Sequence, residues 1–173
     1  MSTRFNEVRR ETEVGHTKKS WQQKLKDSKN FPKTLELQPN FPCYRALKKM
    51  GAEPGDSVVL APGLDVEAIM KQVPERKLLT LEEICRKLSK KHEVEYCCTL
   101  TTGIFINIVA NAAEEMNSAV PYWRTIKNDG QLNEKFPGGV EKQKKLLEAE
   151  GHTIAQKGKK HFVVDYKKSF VKL

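Results

Sequence analysis

A pair of helices joined by a short loop, over residues 80 to 116, constrains the fold of this chain more than any other feature. The first helix opens with a capping box at Thr80, whose side-chain oxygen can accept from an early backbone N–H while Glu83 reaches back. Its apolar face carries Leu81, Ile84, Cys85 and Leu88. The second helix is predicted from Thr101, a hydroxyl cap, to Met116. Two such helices, followed by a turn and a further helix, are typical of a helix-turn-helix.

The rest of the second half of the chain continues with a loop, a helix and a hairpin. Residues 125 to 136 are rich in turn formers and predict a wing-like loop. A helix follows over residues 140 to 150, and the residues around Lys157-Gly158 predict a C-terminal β-hairpin. We therefore predict a mostly α fold with small β elements, a winged helix-turn-helix domain, over residues 61 to 173.

The first 60 residues give weaker signals. Only Trp21 and Leu25 lie at helical spacing before residue 33, which predicts a flexible arm with one or two amphipathic turns. A short helix from Tyr44 and an extended run at residues 58 to 60 follow. We assign residues 1 to 60 to a divergent, basic N-terminal extension of unknown role, since a chain of 173 residues fits one domain with such an extension.

Positive charge is concentrated at the two ends of the chain, whose formal net charge is +9. Residues 1 to 33 carry +5, residues 34 to 134 carry −2, and residues 135 to 173 carry +6. Lysine contacts to phosphate release counterions and dominate non-specific affinity for nucleic acid, so a polyanion partner is a reasonable inference. Solubility and charged tails explain the same pattern equally well.

The cysteines and the polarity of the N-terminus bear on compartment and cofactors. Four cysteines, Cys43, Cys85, Cys97 and Cys98, lack Cys-x-x-Cys spacing, which favours free thiols over a metal site. Residues 1 to 20 are too polar for a secretory signal, and no transmembrane run occurs. We expect a cytoplasmic (intracellular) protein with no cofactor, no metal and no membrane partner.

The segment from residue 120 to residue 151 carries the most informative motif. Its order is Pro121-Tyr122-Trp123-Arg124, then Asp129-Gly130, Gly138-Gly139, Leu146-Leu147 and Glu150-Gly151. It resembles the active-site segment of the alkylguanine-DNA alkyltransferases, in which a Pro-Cys-His-Arg tetrapeptide precedes a glycine turn, paired glycines and a helix ending in Glu-Gly. The resemblance extends over roughly residues 64 to 157. The acceptor cysteine of that family is replaced by Tyr122, and the following histidine by Trp123.

These replacements remove the chemistry that the resemblance would otherwise imply. A phenol with a pKa near ~10 is a poor substitute for a thiolate, and only Glu150 remains of the proton relay. The chain is similar to the alkyltransferase-like proteins, which lack the cysteine and bind alkylated DNA without repairing it. We therefore expect no catalytic residue and a DNA-repair protein that binds duplex DNA containing O6-alkylguanine. Two alternatives stay open: a repurposed fold that binds another polyanion or a protein, and an alkyltransferase that uses a non-standard cysteine, Cys97 or Cys98.

The resemblance also assigns site residues. The DNA and alkyl-base pocket is expected to comprise Asn111, Tyr122, Trp123, Arg124, Phe136, Pro137, Gly138 and Gly139. DNA-backbone contacts are expected from Thr101, Thr102, Gly103, Lys142, Lys144 and Lys145. Asn111 corresponds to a hinge asparagine that orders the turn into the active-site strand, and Arg124 is expected to point into the protein. Glu150 is a structural remnant of the relay.

Several positions depart from the family pattern. Thr102 stands where the family has an intercalating arginine, and Leu81 where it has a nucleotide-rotating tyrosine. Phe136 and Pro137 replace hydroxyl donors to guanine O6. The second helix is expected to bury Ile104, Phe105, Ile108, Val109 and Ala112 and to expose Gly103, Asn107, Ala110 and Asn111. These departures put base flipping in doubt but leave the predicted fold intact.

Overall fold

The computed structural model of the protein describes residues 17–173. Its helices are α1 (Trp21–Lys26), α2 (Tyr44–Lys49), α3 (Gly63–Lys71), α4 (Leu81–Lys91), α5 (Thr99–Glu115) and α6 (Gly139–Ala149). Its strands are β1 (Lys33–Glu36), β2 (Ser57–Leu60), β3 (Leu79–Thr80), β4 (Tyr96–Cys97), β5 (Thr125–Ile126), β6 (Ile154–Lys157) and β7 (Lys160–Val163). Two 3₁₀ turns lie at Tyr122–Arg124 and Tyr166–Ser169. The fold is mostly α with small β elements, as the sequence predicts.

The helix-turn-helix is formed by α4 and α5. At the start of α4 the Thr80 hydroxyl oxygen accepts from the backbone N–H of Glu83 at 3.4 Å. The Glu83 carboxylate does not complete the predicted capping box, because it pairs with Arg86 at 2.8 Å. The α5 helix begins at Thr99, earlier than the predicted Thr101, because the Cys98 sulfur caps it by accepting from the Thr101 N–H at 3.5 Å.

A three-stranded sheet joins the N-terminal segment to the helix-turn-helix. The central strand β2 pairs antiparallel with β1 and parallel with β4, so that Val58 and Val59 lie opposite Tyr96 and Cys97. The strand β4 occupies the turn immediately before α5. The boundary that the sequence suggests after Leu60 therefore falls at the end of a strand that is hydrogen-bonded to the helix-turn-helix.

The main core is built around α5, which packs against α1, α3 and α4. Phe105, Val109 and Ala112 are buried as the apolar pattern predicts. Two positions are the reverse of the prediction: Ile104 is 53% exposed, whereas Ala110 is fully buried. The reason is that α5 is apolar on most of its circumference, so its composition does not define which face turns inward.

The segment predicted to be a flexible arm is docked from Trp21 onwards. Leu25 is 2% exposed within the main core. The backbone N–H groups of Trp21 and Gln22 donate to the Glu115 carboxylate at 2.9 and 3.4 Å. A residue at the end of α5 therefore accepts hydrogen bonds from two N–H groups at the start of α1 that have no partner within their own helix. The predicted amphipathic turns at Trp21 and Leu25 are confirmed as α1, but the prediction that this part of the arm is flexible is wrong. Residues 1 to 16 of the predicted arm lie outside the described part of the chain.

The predicted C-terminal hairpin is confirmed. Strands β6 and β7 pair antiparallel, with Ala155 opposite Phe162. Beyond the hairpin, the chain returns to the domain, since the Leu78 N–H donates to the Ser169 carbonyl at 2.8 Å and the Val171 N–H donates to the Leu78 carbonyl at 3.0 Å. Across residues 17–173, no helix combines the length and apolar character needed to traverse a bilayer.

Candidate nucleic-acid interface

Tyr122, at the position that the resemblance assigns to the acceptor, is buried. It opens the 3₁₀ turn between α5 and β5 and is 2% exposed. Its ring packs edge-on against Trp123 and Phe136, with centroids 5.5 and 5.4 Å apart, and Phe136 is itself 3% exposed. The predicted alkyl-base pocket is therefore filled at this point by aromatic side chains, and its tyrosine is part of the main core.

A charged group closes the outer side of this aromatic cluster. The Tyr122 hydroxyl donates to Glu114 at 2.7 Å, and the Lys142 ammonium lies 2.7 Å from the same carboxylate oxygen. Burial and the hydrogen bond to Glu114 raise the pKa of Tyr122 well above its ordinary value. The hydrogen bonds from Lys142 and Tyr122 hold the pKa of Glu114 below its ordinary value. Burial and the hydrogen bond to Glu114 therefore favour the neutral phenol of Tyr122, which is a weaker nucleophile than the phenolate.

Arg124 is tied to the interior, as the sequence predicts. Its Nε and Nη2 donate to the Glu150 carboxylate at 2.7 to 3.1 Å, and its Nη1 donates to the Val73 carbonyl oxygen at 2.6 Å. Trp123 Nε1 donates to Glu150 at 3.0 Å. Burial opposes ionisation of Glu150, but these hydrogen bonds outweigh it and hold its pKa below the ordinary value. Glu150 is thus an anchor, with both oxygens in use.

Gln143 is a structural residue that sequence reasoning missed. It lies on α6 and is 1% exposed. Its Nε2 donates to the carbonyl oxygens of Trp123 and Thr125 at 3.1 Å, and its Oε1 accepts from the Asn133 N–H at 2.7 Å. One side chain therefore fixes α6 to both the 3₁₀ turn and the wing-like loop. A lone glutamine among lysines on an amphipathic helix gives no signal that distinguishes it from a solvated residue.

Asn111 does not act as the predicted hinge. Its Nδ2 donates to the Asn107 carbonyl oxygen at 2.8 Å, one turn earlier in the same helix, rather than to the turn that leads into Tyr122. The asparagine that crosses to the loop is Asn107, whose Oδ1 accepts from Asn133 Nδ2 at 3.0 Å. The α5 helix continues to Glu115, four residues beyond Asn111, before the chain turns towards Pro121.

The paired glycines shape the start of α6. Gly138 and Gly139 have φ angles of +74° and +65°, in the left-handed region that favours glycine. A Cβ on Gly138 would lie 2.7 Å from the Cβ of Lys142. With Pro137 half-buried before them, these residues bring the chain from Phe136 into the helix. Their observed role is to form this turn.

The three residues expected to contact the DNA backbone at the start of α5 differ in accessibility. Thr102 is 1% exposed, and its hydroxyl lies 3.2 Å from the Cys97 sulfur, so its predicted contact with DNA is contradicted by its burial. Thr101 is half-buried. Gly103 faces open space, with no atom within 4 Å of the position a Cβ would take. The accessible face of α5 therefore runs through Gly103 and not through Thr102.

This accessible face carries two large apolar side chains that sequence reasoning did not assign to the interface. Leu100 is 51% exposed and Ile104 is 53% exposed, and the two lie one helical turn apart, next to Gly103. Beside them a cleft of about 440 Å³ separates α5 from the wing-like loop. Its lining includes Leu81, Asn107, Lys127, Asn128, Asn133 and Lys135. The open concavity of this region is thus next to α5 and is not lined by Tyr122.

The lysines predicted on α6 are not equivalent. Lys142 is paired with Glu114, so its charge is already compensated. Lys145 is exposed and Lys144 is half-buried. Among residues 17–173, neither Lys144 nor Lys145 has a carboxylate within 4 Å. Lys144 and Lys145 therefore remain the candidates on this helix for a contact with phosphate.

All four cysteines are buried free thiols. Burial raises the pKa of Cys43 to about 12, and the hydrogen bond to Cys97 together with burial raises the pKa of Cys85. Cys98 caps α5 and Cys97 contacts Thr102. In the described part of the chain, no group of three or more His, Cys, Asp or Glu side chains could hold a metal ion.

The chain is similar to two solved structures from S. pombe: Atl1 in complex with damaged DNA containing O6-carboxymethylguanine, and ATL in complex with DNA. Each match has 20% sequence identity and a TM-score of 0.50, and covers 64% of this chain and 94% of the other. No protein-family model matches the chain, and no curated protein matches it. The chain therefore has the helix-turn-helix fold of the alkyltransferase-like proteins, which the sequence predicts.

Proposed function

We propose that this protein is a non-enzymatic, alkyltransferase-like protein of DNA repair that binds duplex DNA and recognises O6-alkylguanine. The observation that carries the proposal is the exposed face of α5, the second helix of the helix-turn-helix, where Leu100 and Ile104 stand beside an open cleft. The second helix of such a motif is the one that enters a DNA groove. The two similar S. pombe structures are complexes with DNA, one of them damaged, which supports the same assignment. The role requires the intracellular location that the sequence predicts.

Leu100 and Ile104 are apolar side chains that could be inserted between neighbouring base pairs. Proteins that bind the minor groove insert leucine or isoleucine side chains between base steps and unstack them. Gly103 lies beside these two positions on the helix surface and has no Cβ, so a DNA strand can approach the helix backbone there. Because Thr102 is buried and cannot replace the intercalating arginine, Ile104 and Leu100 are the side chains of α5 placed to fill the space left by a displaced base.

The cleft beside α5 is the candidate receptor for the displaced base. Its volume of about 440 Å³ is lined by the amides of Asn107, Asn128 and Asn133 and by the apolar side chain of Leu81. Amide groups can hydrogen-bond the edges of a guanine, while an apolar side chain can contact the added alkyl group. This assignment moves the lesion contact from Tyr122, which is buried, to Asn107 and Asn133.

Binding of duplexes with and without O6-methylguanine, measured by fluorescence anisotropy at two salt concentrations, tests the proposal. Ile104→Glu is expected to weaken binding to both duplexes by about tenfold or more, because a carboxylate would have to be desolvated between the bases and would be repelled by the negative potential of the DNA. Val164→Glu is the matched control: Val164 is 46% exposed and follows β7, away from α5 in the chain.

Asn107→Ala is expected to reduce the preference for the alkylated duplex.

The outcomes separate the proposal from its alternatives. An absence of duplex binding by the wild-type protein at low salt would remove the DNA assignment and favour another polyanion or a protein as the partner. Equal binding of both duplexes would retain DNA binding and remove lesion recognition. Equal effects of the Ile104 and Val164 substitutions would move the contact away from α5.

We expect no self-alkylation. The phenol of Tyr122 is buried and neutral, and all four thiols are buried. After incubation with excess O6-benzylguanine duplex, the intact mass of the protein should be unchanged. A stoichiometric benzyl adduct on Cys97 or Cys98, with guanine released, would instead favour the alkyltransferase that uses a non-standard cysteine.

A further inference from the structure

We infer that α2 forms a second phosphate-binding site, which extends the DNA contact beyond α5 and rests on the proposed function. This helix carries Arg45, Lys48 and Lys49, all exposed. Among the residues that the structure describes, no carboxylate lies within 4 Å of any of the three. Three uncompensated cations on one short helix are an anion-binding surface.

The three cations on α2 differ from two of the cations on α4. Arg86 is paired with Glu83 at 2.8 Å, and Lys91 is paired with Asp65 of α3 at 2.6 Å, so these two charges are compensated within the protein. Lys87 and Lys90 of α4 have no carboxylate within 4 Å among residues 17–173, so an unpaired lysine alone does not mark a site. What distinguishes α2 is that all three of its cations are unpaired in the described part of the chain and that each lines a concavity of the surface.

The surface next to α2 is concave and combines aromatic with basic groups. A groove of about 610 Å³ is lined by Pro39, Phe41, Pro42, Tyr44, Arg45 and Lys48. The Lys48 ammonium lies 5.8 Å from the centre of the Tyr44 ring. A concave surface that carries unpaired positive charge suits the phosphate backbone of a duplex.

This groove and the cleft beside α5 are neighbours of a third concavity. That depression, of about 460 Å³, is lined by Pro42, Lys49 and Met50 and also by Thr99 and Leu100. Pro42 also lines the groove at α2, and Leu100 also lines the cleft. The three concavities are therefore adjacent, and together we call them the trough.

The trough has a fixed geometry because α2 is held to the helix-turn-helix. Leu47 of α2 is fully buried in a small core with Leu37, Val58 and Cys98. Val58 belongs to β2, which pairs with β4 directly before α5. A duplex seated on α5 would thus meet α2 at a constant position. The phosphate backbone of that duplex is the occupant that matches both the positive charge of α2 and its place beside the cleft at α5.

Salt-dependent duplex binding by the triple variant Arg45→Ala/Lys48→Ala/Lys49→Ala tests the inference. Each phosphate contact contributes about 0.9 to the slope of log K against log salt, so the slope should fall by about 2 to 3 in magnitude. The loss should be the same for plain and alkylated duplexes, because a phosphate contact carries no base information. The matched control is Lys71→Ala/Lys77→Ala/Lys90→Ala, which removes equal charge from exposed residues that do not line the three concavities.

The results distinguish this inference from the proposed function. If the wild-type protein binds duplex and the α2 variant keeps the wild-type slope, or if both triple variants lose it equally, the site on α2 is overturned and the assignment to α5 stands. If the wild-type protein binds no duplex, both fail. Thermal unfolding of both triple variants should match the wild type, since all six side chains are exposed.

Discussion

Replacing Arg124 with alanine is expected to lower the free energy of unfolding by about 3–5 kcal/mol, the range observed when one partner of a buried ion pair is removed. The Arg124 and Glu150 side chains are only 14% and 10% exposed, and the guanidinium also satisfies the Val73 carbonyl oxygen. The substitution would leave a carboxylate and a carbonyl without these donors. Urea denaturation followed by circular dichroism measures the change.

The control for Arg124 is Arg86→Ala, which removes an exposed arginine paired with Glu82 and Glu83 and should change stability by about 0.5 kcal/mol or less.

The stability contributed by the Arg124–Glu150 pair should also depend on pH. Because the pKa of Glu150 is held below its ordinary value of 4.5, its contribution is present above that value and is lost as the pH falls through the folded-state pKa. An unchanged stability with weakened DNA binding would make Arg124 a phosphate ligand.

Replacing Gln143 with leucine is expected to cost about 3 kcal/mol or more. The leucine would leave the carbonyl oxygens of Trp123 and Thr125 and the Asn133 N–H without their partner, and each unpaired buried group costs about 1–3 kcal/mol. The apolar side chain recovers part of this through burial. The measurement is again equilibrium denaturation, together with amide exchange at Asn133, which should become faster.

The control for Gln143 is Gln156→Leu, since Gln156 is exposed on the hairpin and donates to the Gly158 carbonyl alone. This change should have an effect of about 0.5 kcal/mol or less. If the two leucine variants are equally stable, the hydrogen bonds of Gln143 do not fix α6 to the 3₁₀ turn and the wing-like loop.

The sequence predicted the parts of the fold that depend on local signals. The Thr80 cap, the apolar face of α4 and the C-terminal hairpin follow from residues close in the chain. The docking of α1 did not follow, because it depends on Glu115 at the far end of α5. The pairing of β2 with β4 was missed for the same reason: short strands carry too little pattern to reveal a distant partner.

The role of a site residue was predictable where its residue type has one common role in such a motif. It was not predictable where the role depends on whether the side chain is buried or exposed. Arg124 was placed correctly, because an arginine in this motif satisfies buried acceptors. Thr102 was predicted to be accessible and Ile104 to be buried, and the structure shows the reverse. A helix as apolar as α5 has no clear inward face in its sequence. The phosphate site that we propose on α2 gave no signal in the sequence, because a short basic helix is normally a solvated surface. The proposal depends on the neighbouring grooves, which only the structure reveals.

The closed environment of Tyr122 limits what a cysteine could do at this position. A tyrosine codon becomes a cysteine codon by a single transition, so a thiol at position 122 is one base change away. A cysteine there would start from a position that is 2% exposed and faces the Glu114 carboxylate, which disfavours a thiolate. Its neighbour would still be Trp123, hydrogen-bonded to a glutamate that Arg124 already occupies. A single base change would therefore introduce a thiol without the surroundings that an alkyl acceptor needs, and several further substitutions around it would be required.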